Sequence, residues 1–344
     1  MEMLINVSMM LAKSDLWTKI ITLFSKWIVN YGWAIIVFTI CLKLVMSPLD
    51  IYQRISSKKQ QKFMTVMQPE LQAIQAKYAN DKNKLNQETA KIYKKYNFNM
   101  GGMCFSMLIT MGVSMLVFFT LFSSLRSFGN DKLYESYKSL DKAYVQTVES
   151  EAYQSLTDVE KANTLELTIE KEYDKLSKQN SWLWVKNVWK SDTKTSQFVS
   201  FEDYAKHEKL NDAEKDAAKA RYEYITTTIE GEKTDPNGYY ILIILSVVVS
   251  FLTQLLSTKL TTPKGQKLNT MNKVMMAIIP LTMVILAASS NVVFTLYIIV
   301  NSIMTAIITT ILTLTMKSKN NKDSDIILPR KNVNVVEYSR NYKK

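Results

Sequence analysis

The sequence has few of the side chains on which most enzyme chemistry depends. Its 344 residues include one histidine, His207, and two cysteines, Cys41 and Cys104. The sequence therefore shows no Ser–His–acid pattern and no metal-ligand spacing, and its eight glycines form no phosphate-binding motif. Both cysteines fall in long apolar runs, which indicates small packing residues rather than a disulfide framework. We therefore predict a protein that is not an enzyme and has no cofactor, no metal site and no small-molecule substrate.

Acidic side chains are almost absent from five long apolar runs. Such runs suffice to cross about 30 Å of hydrocarbon at about 1.5 Å per residue. They are residues 31–52, 102–125, 238–257, 274–290 and 291–316. The last two are separated only by the polar string AASSN, which indicates a tight helical hairpin. The sequence therefore predicts an all-α polytopic membrane protein with five transmembrane helices.

The charged residues differ in sign between the two sides of these runs. Segment 53–100 has ten basic and three acidic residues, segment 258–273 has four and none, and the tail 317–344 has eight and three. Segment 127–237 reverses the balance, with 16 basic and 22 acidic residues. Because basic flanks are retained in the cytoplasm, we predict an amino terminus outside and a carboxyl terminus inside the cell.

The first thirty residues carry apolar side chains at helical spacing. They are Leu16, Ile20, Leu23, Phe24, Trp27 and Ile28. This pattern predicts an amphipathic helix on the outer face of the membrane within residues 1–30. A signal peptide is the alternative, but a basic start and a small-residue cleavage site are missing.

The basic segment 53–100 contains two apolar seams with the same 4-3-4 spacing. The seams are Met67, Leu71, Ile74 and Tyr78, and then Leu85, Thr89, Ile92 and Tyr96. Matching seams predict an antiparallel helical hairpin in the cytoplasm, with Pro69 kinking or restarting its first helix. Its many lysines favour a position near anionic headgroups, and a solvated loop without a partner is the alternative.

The acidic segment 126–237 is predicted to be an extracellular helical insertion, with His207 exposed among charged helix residues. The stretch 181-SWLWVKNVW-189 places three tryptophans in nine residues, which is typical of a segment that rests at the outer membrane interface.

The basic tail 317–344 has the composition of a disordered segment. It either contacts ribosomal RNA through the phosphates or only maintains the orientation.

Lys43 is the unusual residue of the first run. It lies ten residues after Trp33 and eleven before Arg54, about 15 Å and 16 Å along a helix, and so near the middle of the bilayer. A lysine side chain reaches only about 6 Å, too short to bring the charge to the headgroups. Thr39, Lys43, Ser47 and Asp50 follow at steps of four, four and three and therefore form a polar stripe on one helix face.

The other runs provide hydroxyl and amide groups but no carboxylate near mid-depth. These groups belong to Ser106, Thr110, Ser114, Gln254 and Asn301. A cation among neutral polar groups indicates a hydrated cavity that receives a negatively charged guest. A proton relay or cation channel would instead be lined with carboxylates, whereas an anion channel or solute transporter that uses Lys43 remains the alternative.

Several motifs occur in an order that is more specific than any one of them. They are 35-IIVFTICLKLVMSPL-49, 68-QPELQAIQAKY-78, 104-CFSMLITMGV-113, 182-WLWVKNVWKSD-192 and 296-LYIIVN-301. Together they resemble the YidC/Oxa/Alb membrane insertase family in its five-span bacterial form, over most of residues 30–316.

The resemblance implies a hydrophilic groove that is open to the cytoplasm and to lipid but closed outside, with Lys43 at the position of the family's positive residue. The implied groove residues are Lys43, Thr39, Ser47, Ser106, Thr110, Gln254 and Asn301. The groove would receive the hydrophilic tail of a nascent membrane protein while its hydrophobic segment slides into lipid. The implied slide residues are Met107, Met111, Ser114, Phe118, Ile279 and Met283.

The resemblance also implies a location in the bacterial plasma membrane and first capture of the substrate by the hairpin 53–100. The partners that it implies are nascent membrane proteins, membrane lipid, the ribosome, the signal-recognition pathway and the Sec translocon, with no specific DNA binding. The family usually carries arginine where Lys43 stands. Lysine in its place should preserve charge attraction but lacks the bidentate geometry of a guanidinium. Residues 193–236 look like an additional insertion.

Overall fold

The computed structural model describes residues 16–96, 100–194, 196–230, 236–261 and 270–320. These residues form eleven helices and no β-strand. The helices are α1 Leu16–Trp27, α2 Tyr31–Lys77, α3 Lys82–Lys95, α4 Met100–Val148, α5 Glu151–Gln154, α6 Asp158–Asn180, α7 Phe201–Glu208, α8 Asp212–Glu230, α9 Ile241–Thr261, α10 Thr270–Ser289 and α11 Val292–Asn320. The prediction of an all-helical chain is confirmed for this part of the molecule.

Four helical segments of the described chain are long and apolar enough to cross a membrane. They are Tyr31–Ser57, Met111–Val148, Ile241–Leu260 and Val292–Thr315. Each overlaps one of the predicted spans. The remaining predicted span, 274–290, falls on α10, whose 20 residues extend over about 30 Å.

Two helices continue beyond the boundaries expected from hydropathy. α2 runs without interruption through Pro48 and Pro69, so the helix does not restart at Pro69. α4 continues past residue 125 because buried apolar side chains recur on one helix face at Leu133, Tyr137 and Leu140.

The chain divides into two compact units. The first consists of Met1–Val45, Leu116–Ser257 and Leu268–Ile307, and the second of Met46–Met115, Thr258–Lys267 and Ile308–Lys344. α2 and α4 each contribute residues to both units.

The first unit contains a large hydrophobic core, on which α1 is fixed by its apolar face. Ile21 is buried, and the rings of Trp17 and Phe24 meet Phe38 of α2 edge to face, with centroids 6.2 Å and 5.9 Å apart. The Trp17 indole N–H donates to the Thr120 hydroxyl of α4 at 3.2 Å. The structure confirms a helix where the spacing predicts one, but Leu16, Leu23 and Trp27 of the predicted apolar pattern are exposed and do not contribute to this core. Residues 1–15 lie outside the described structure, and the position of the helix on the outer face stays a prediction.

The helices of the predicted insertion pack on the extension of α4 in the same unit. Tyr137 of α4 lies against Tyr204 of α7 and Tyr222 of α8, with ring centroids 4.5 Å and 5.1 Å apart. Asp141 of α4 accepts hydrogen bonds from Arg221 at 2.9 Å and from the Tyr204 hydroxyl at 3.2 Å. Aromatic packing and one partly buried ion pair thus hold α7 and α8.

His207 is exposed, as predicted. Its ring stacks on Tyr134, with the centroids 4.1 Å apart and the planes 13° from parallel.

The second unit contains a small core where α2 meets α3. Met67 and Leu71 of α2 are buried with Ile92 and Tyr96, so the two sequence seams pack against each other. Asp81 caps α3 by accepting the Lys84 backbone N–H at 3.0 Å.

Glu70 provides the polar contact of this hairpin. Its Oε1 atom accepts hydrogen bonds from Lys95 Nζ and from the Tyr96 hydroxyl, both at 2.7 Å. Burial, assisted by the hydrogen bond to Glu70, raises the pKa of Tyr96 to about 12.

Candidate functional site

The polar stripe of α2 is less exposed than the apolar residues beside it. Lys43 is half-buried and Thr39 is buried, whereas Leu44 and Val45 are exposed. The Thr39 hydroxyl donates to the Ile35 carbonyl at 2.6 Å, the usual way in which threonine satisfies its hydroxyl within a helix. Apolar side chains that face outward and polar ones that face inward are expected of a helix in lipid.

Gln254 and Asn301 are half-buried on α9 and α11 of the first unit. These two helices touch through polar groups next to both residues. The hydroxyls of Ser250 and Ser302 lie 3.4 Å apart, and the Thr253 hydroxyl donates to the Ser302 carbonyl at 3.3 Å. Neutral polar groups therefore line the contact between α9 and α11.

The remaining candidate residues fall on both compact units. Phe118, Ile279 and Met283 belong to the first unit with Thr39, Lys43, Gln254 and Asn301, and the second unit contains Ser47, Ser106, Met107, Thr110, Met111 and Ser114. The side chains of Ser106, Met107, Thr110 and Ile279 lie outside the described structure.

The described slide residues differ in exposure. Met111 and Ser114 of α4 are exposed, whereas Phe118 and Met283 are half-buried. Phe118 meets Phe294 of α11 edge to face, with ring centroids 5.5 Å apart. Of these α4 residues, Phe118 therefore packs against the core of the first unit, whereas Met111 and Ser114 of the second unit are exposed.

A second set of polar contacts in the first unit lies in residues 180–192, here termed the capping segment. Asp192 is buried, and its Oδ2 atom accepts the backbone N–H groups of Leu242 and Ile243 at 3.1 Å and 3.4 Å. These N–H groups belong to the first turn of α9 and have no partner within the helix. A carboxylate at this position also interacts favourably with the helix dipole. Burial raises the pKa of Asp192, and the two backbone hydrogen bonds oppose that shift.

The capping segment supplies backbone acceptors to α11 as well. The carbonyls of Lys190 and Val188 accept the N–H groups of Val292 and Val293 at 2.9 Å and 3.0 Å. Ser191 donates its hydroxyl to the carbonyl of Ala288 near the end of α10 at 2.9 Å. One short segment thereby joins the starts of α9 and α11 to the end of α10.

The start of α2 meets the capping segment through aromatic packing. The Tyr31 ring lies 4.8 Å from that of Trp189, and Trp182 packs against Gly32, where an added Cβ would come within 2.3 Å of the indole. Asn30, just before α2, donates to the carbonyl of Ser181 at 2.5 Å. Only glycine leaves room for this approach at position 32.

α4 reaches the same place at Leu125 and Phe128. Phe128 meets Trp189 edge to face at 5.3 Å, and Asn291 donates its side-chain amide to the Leu125 carbonyl at 3.0 Å. α2, α9 and α11 therefore begin at the capping segment, α10 ends there, and α4 passes it.

Asparagine side chains hold the capping segment in shape. Asn237 donates to the Asn187 carbonyl at 2.7 Å and accepts the Asn187 backbone N–H at 2.8 Å. Asn180 accepts the Trp189 indole N–H at 3.0 Å. The sequence pattern pointed to the tryptophans but gave no role to Asp192 or to these asparagines. Asp192 caps α9, which begins about 50 residues later, and no local sequence pattern indicates such a distant cap.

The three tryptophans of this segment do not share one environment. Trp189 is 3% exposed, Trp182 is half-buried and Trp184 is 38% exposed. Trp189 is thus a packing residue whose indole N–H is bonded inside the protein, and the position of the stretch at the outer membrane interface stays a prediction.

These helices define a multi-pass helical membrane protein. A family model described as 60Kd inner membrane protein matches residues 23–320, which is most of the chain. The chain belongs to this family, the YidC/Oxa/Alb membrane insertase family, as the ordered motifs indicated.

Curated relatives support the same family. The chain is 39% identical over 102 residues to a membrane protein insertase YidC of Fusobacterium nucleatum, a match that covers 30% of this chain and 46% of the relative. It is 42% identical over 80 residues to YidC of Clostridium tetani, covering 23% and 34%, and 42% identical over 94 residues to YidC of Leptospira interrogans, covering 27% and 14%. The matches span less than half the length of these relatives.

Proposed function

We propose that the protein is a membrane protein insertase. It receives the hydrophilic tail of a nascent membrane protein in an intramembrane groove and releases the hydrophobic segment into the bilayer. The polar stripe around Lys43 contributes the groove's positive charge, and Thr39, Ser47, Ser106, Thr110, Gln254 and Asn301 contribute neutral polar groups. Met107, Met111, Ser114, Phe118, Ile279 and Met283 guide the hydrophobic segment.

The family match over residues 23–320 carries this proposal. Lys43 adds the physical argument, because it is half-buried near the middle of the span Tyr31–Ser57. A positive charge at this depth attracts acidic tail residues, whose transfer through hydrocarbon is otherwise costly.

The proposed topology has five spans, with the amino terminus outside the cell. Three predicted spans begin at the capping segment, one ends there and α4 passes it, which favours alternating directions for the five helices. The basic segments 53–100 and 258–273 favour the cytoplasm for the opposite ends.

The capping segment then lies outside the cell and closes the outer end of the groove. Its backbone and Asp192 bind the helix starts directly, which favours a fixed closure over a gate. Access from the cytoplasm fits a substrate that arrives from the ribosome. The ribosome, the signal-recognition pathway and the Sec translocon are proposed partners, and the basic tail 317–344 is a candidate ribosome contact.

Photo-crosslinking of stalled nascent chains tests the proposal directly. A crosslinking amino acid at Met111, Phe118 or Met283 is expected to capture a ribosome-bound membrane protein, whereas the same group at Leu167 on α6 is not. Absence of crosslinks from all three positions would contradict the insertase function. Capture would exclude a pure solute transporter.

Charge variants of Lys43 test the mechanism in cells depleted of their own insertase. For a short single-span client with an acidic tail, Lys43→Glu is expected to lower insertion at least about tenfold, which corresponds to about 1.4 kcal/mol. Lys43→Arg should retain insertion, because attraction requires the charge and not a particular donor geometry.

The matched control is the same client with a neutral tail, whose insertion should depend much less on position 43. Equal insertion of the acidic-tailed client by the Lys43→Glu variant would count against charge attraction.

A further inference from the structure

Two neighbouring turns of the first unit present bulky apolar side chains to the outside in a strained backbone. Leu183 has a φ of 51°, and Tyr239 and Tyr240 have φ values of 56° and 63°. These values lie in the left-handed region, which large side chains disfavour and glycine adopts freely. Apart from Lys209, which ends α7, these are the positive-φ residues other than glycine in the described chain.

The first turn is a two-residue hairpin whose ends face the protein and whose tip faces away. Trp182 and Val185 exchange backbone hydrogen bonds at 2.9 Å and 2.8 Å, and Val185 is buried. Leu183 and Trp184 at the tip are 64% and 38% exposed. Packing of these two side chains in the core therefore cannot be what compensates for the left-handed backbone at Leu183.

The second turn lies beside the first. The Lys186 N–H donates to the Asn237 carbonyl at 3.3 Å, and Asn187 and Asn237 are joined by two further hydrogen bonds. Tyr239 and Tyr240 follow Asn237 and are exposed. The two turns thus form one surface of four exposed apolar or aromatic side chains, here termed the turn pair, which consists of Leu183, Trp184, Tyr239 and Tyr240.

The turn pair stands at the level where two membrane spans begin. Tyr240 directly precedes the span Ile241–Leu260, and Trp182 meets Trp33, in the first turn of the span Tyr31–Ser57, with ring centroids 5.7 Å apart. Tryptophan and tyrosine are enriched at this level because their rings suit the boundary between headgroups and hydrocarbon.

We infer that the turn pair inserts into the interfacial layer of the bilayer and fixes the depth of the helix starts. The occupant of this surface is lipid, because the surface adjoins exposed apolar side chains at the starts of both spans, namely Trp33, Ile241 and Ile244. The left-handed backbone directs the side chains outward, which explains why leucine and tyrosine stand where glycine would be free of strain. The inference depends on the protein crossing a membrane and not on which molecules it inserts.

Spin labels test the inference with a matched control within the chain. Leu167 of α6 is a leucine of nearly equal exposure, 65%, and lies about 20 Å along the helix from Asn180 at the start of the capping segment. Single cysteines replace Leu183 or Leu167 in a Cys41→Ser, Cys104→Ser background. The labelled protein is reconstituted in vesicles of phosphatidylcholine and phosphatidylglycerol.

Collision rates with dioxygen and with a water-soluble nickel chelate give the depth of each label. The label at 183 is expected to have a severalfold higher ratio of oxygen to nickel collisions than the label at 167, and a Trp184→Cys label should agree with it. Equal ratios at 183 and 167, or a label at 184 that is as accessible to nickel as that at 167, would overturn the inference.

A glycine substitution separates lipid contact from a structural role of the leucine. Leu183→Gly removes the strain, so the melting temperature in detergent should stay the same or rise. A clear fall would mean that Leu183 stabilises the fold through protein contacts, and would also overturn the inference.

Discussion

The capping segment of the first unit and the hairpin of the second unit are stabilised in different ways. Buried polar groups with defined partners hold the capping segment, among them Asp192, Asn180 and Asn237. A small apolar core and the contacts of Glu70 hold the hairpin.

This difference has physical consequences. Breaking a buried hydrogen bond is costly, because a group that loses its partner is left without a hydrogen bond to protein or water. A small core with partly exposed ion pairs opens more easily, and such regions belong to the low-stability part of a protein. We therefore expect the capping segment to be rigid and the hairpin to open locally, which would suit the closing and capturing roles that we propose for them.

The largest effect on stability is expected from removing the cap of α9. Asp192→Ala leaves two buried N–H groups without their acceptor, which should lower the free energy of unfolding by about 1–3 kcal/mol. The measurement is thermal unfolding in detergent. Asp192→Asn keeps an acceptor oxygen and should lose less. A wild-type melting temperature for Asp192→Ala would contradict the assigned role.

The pH dependence of this cap should have an unusual sign. Burial raises the pKa of Asp192 above that of the unfolded chain, so its contribution to stability is fully present below the unfolded pKa and is lost as the pH rises through the folded pKa. Wild type should therefore gain stability relative to Asp192→Asn on acidification. Unfolding midpoints of the two proteins at a series of pH values measure this, and a relative loss for wild type would show that charge-dependent capping dominates.

A smaller and more local effect is expected in the hairpin. Glu70→Ala removes the acceptor of Lys95 and Tyr96 at a partly exposed site, which should cost about 0.5–1 kcal/mol. Hydrogen exchange of α3 amides should accelerate while the capping segment is unchanged. Glu88→Ala, which breaks the exposed Glu88–Lys91 pair, is the control and should have little effect. In the wild-type protein, slower hydrogen exchange at the Asn187 and Trp189 amides than at the α3 amides would support a capping segment that is more rigid than the hairpin.

The smallest effect is expected at Tyr137, in the core of the first unit. Its hydroxyl is buried without a hydrogen-bond partner in the described structure. Tyr137→Phe removes a desolvated polar atom and keeps the ring contacts, so stability should be unchanged or slightly higher. Thermal unfolding measures it, and a clear loss would reveal a polar contact of this hydroxyl.

Much of the architecture could be predicted from local patterns. Apolar runs located the helices that cross the membrane, and the 4-3-4 seams predicted the packing of Met67 and Leu71 against Ile92 and Tyr96. Hydropathy predicted the ends of α2 and α4 poorly. Helical hydrogen bonding continues wherever tertiary packing supports it, and neither helix ends where its apolar run ends.

The sequence by itself determined the membrane-crossing class, the charge asymmetry and the prominence of Lys43, because these depend on composition and on spacing along one helix. Only the tertiary structure decided that Asp192 caps α9, that Trp189 is buried while Trp184 is exposed, and that helix starts far apart in sequence meet at one segment. Hydrogen-bond partners that are about 50 to 100 residues apart produce no periodic pattern in the sequence, because their pairing depends on how the whole chain packs.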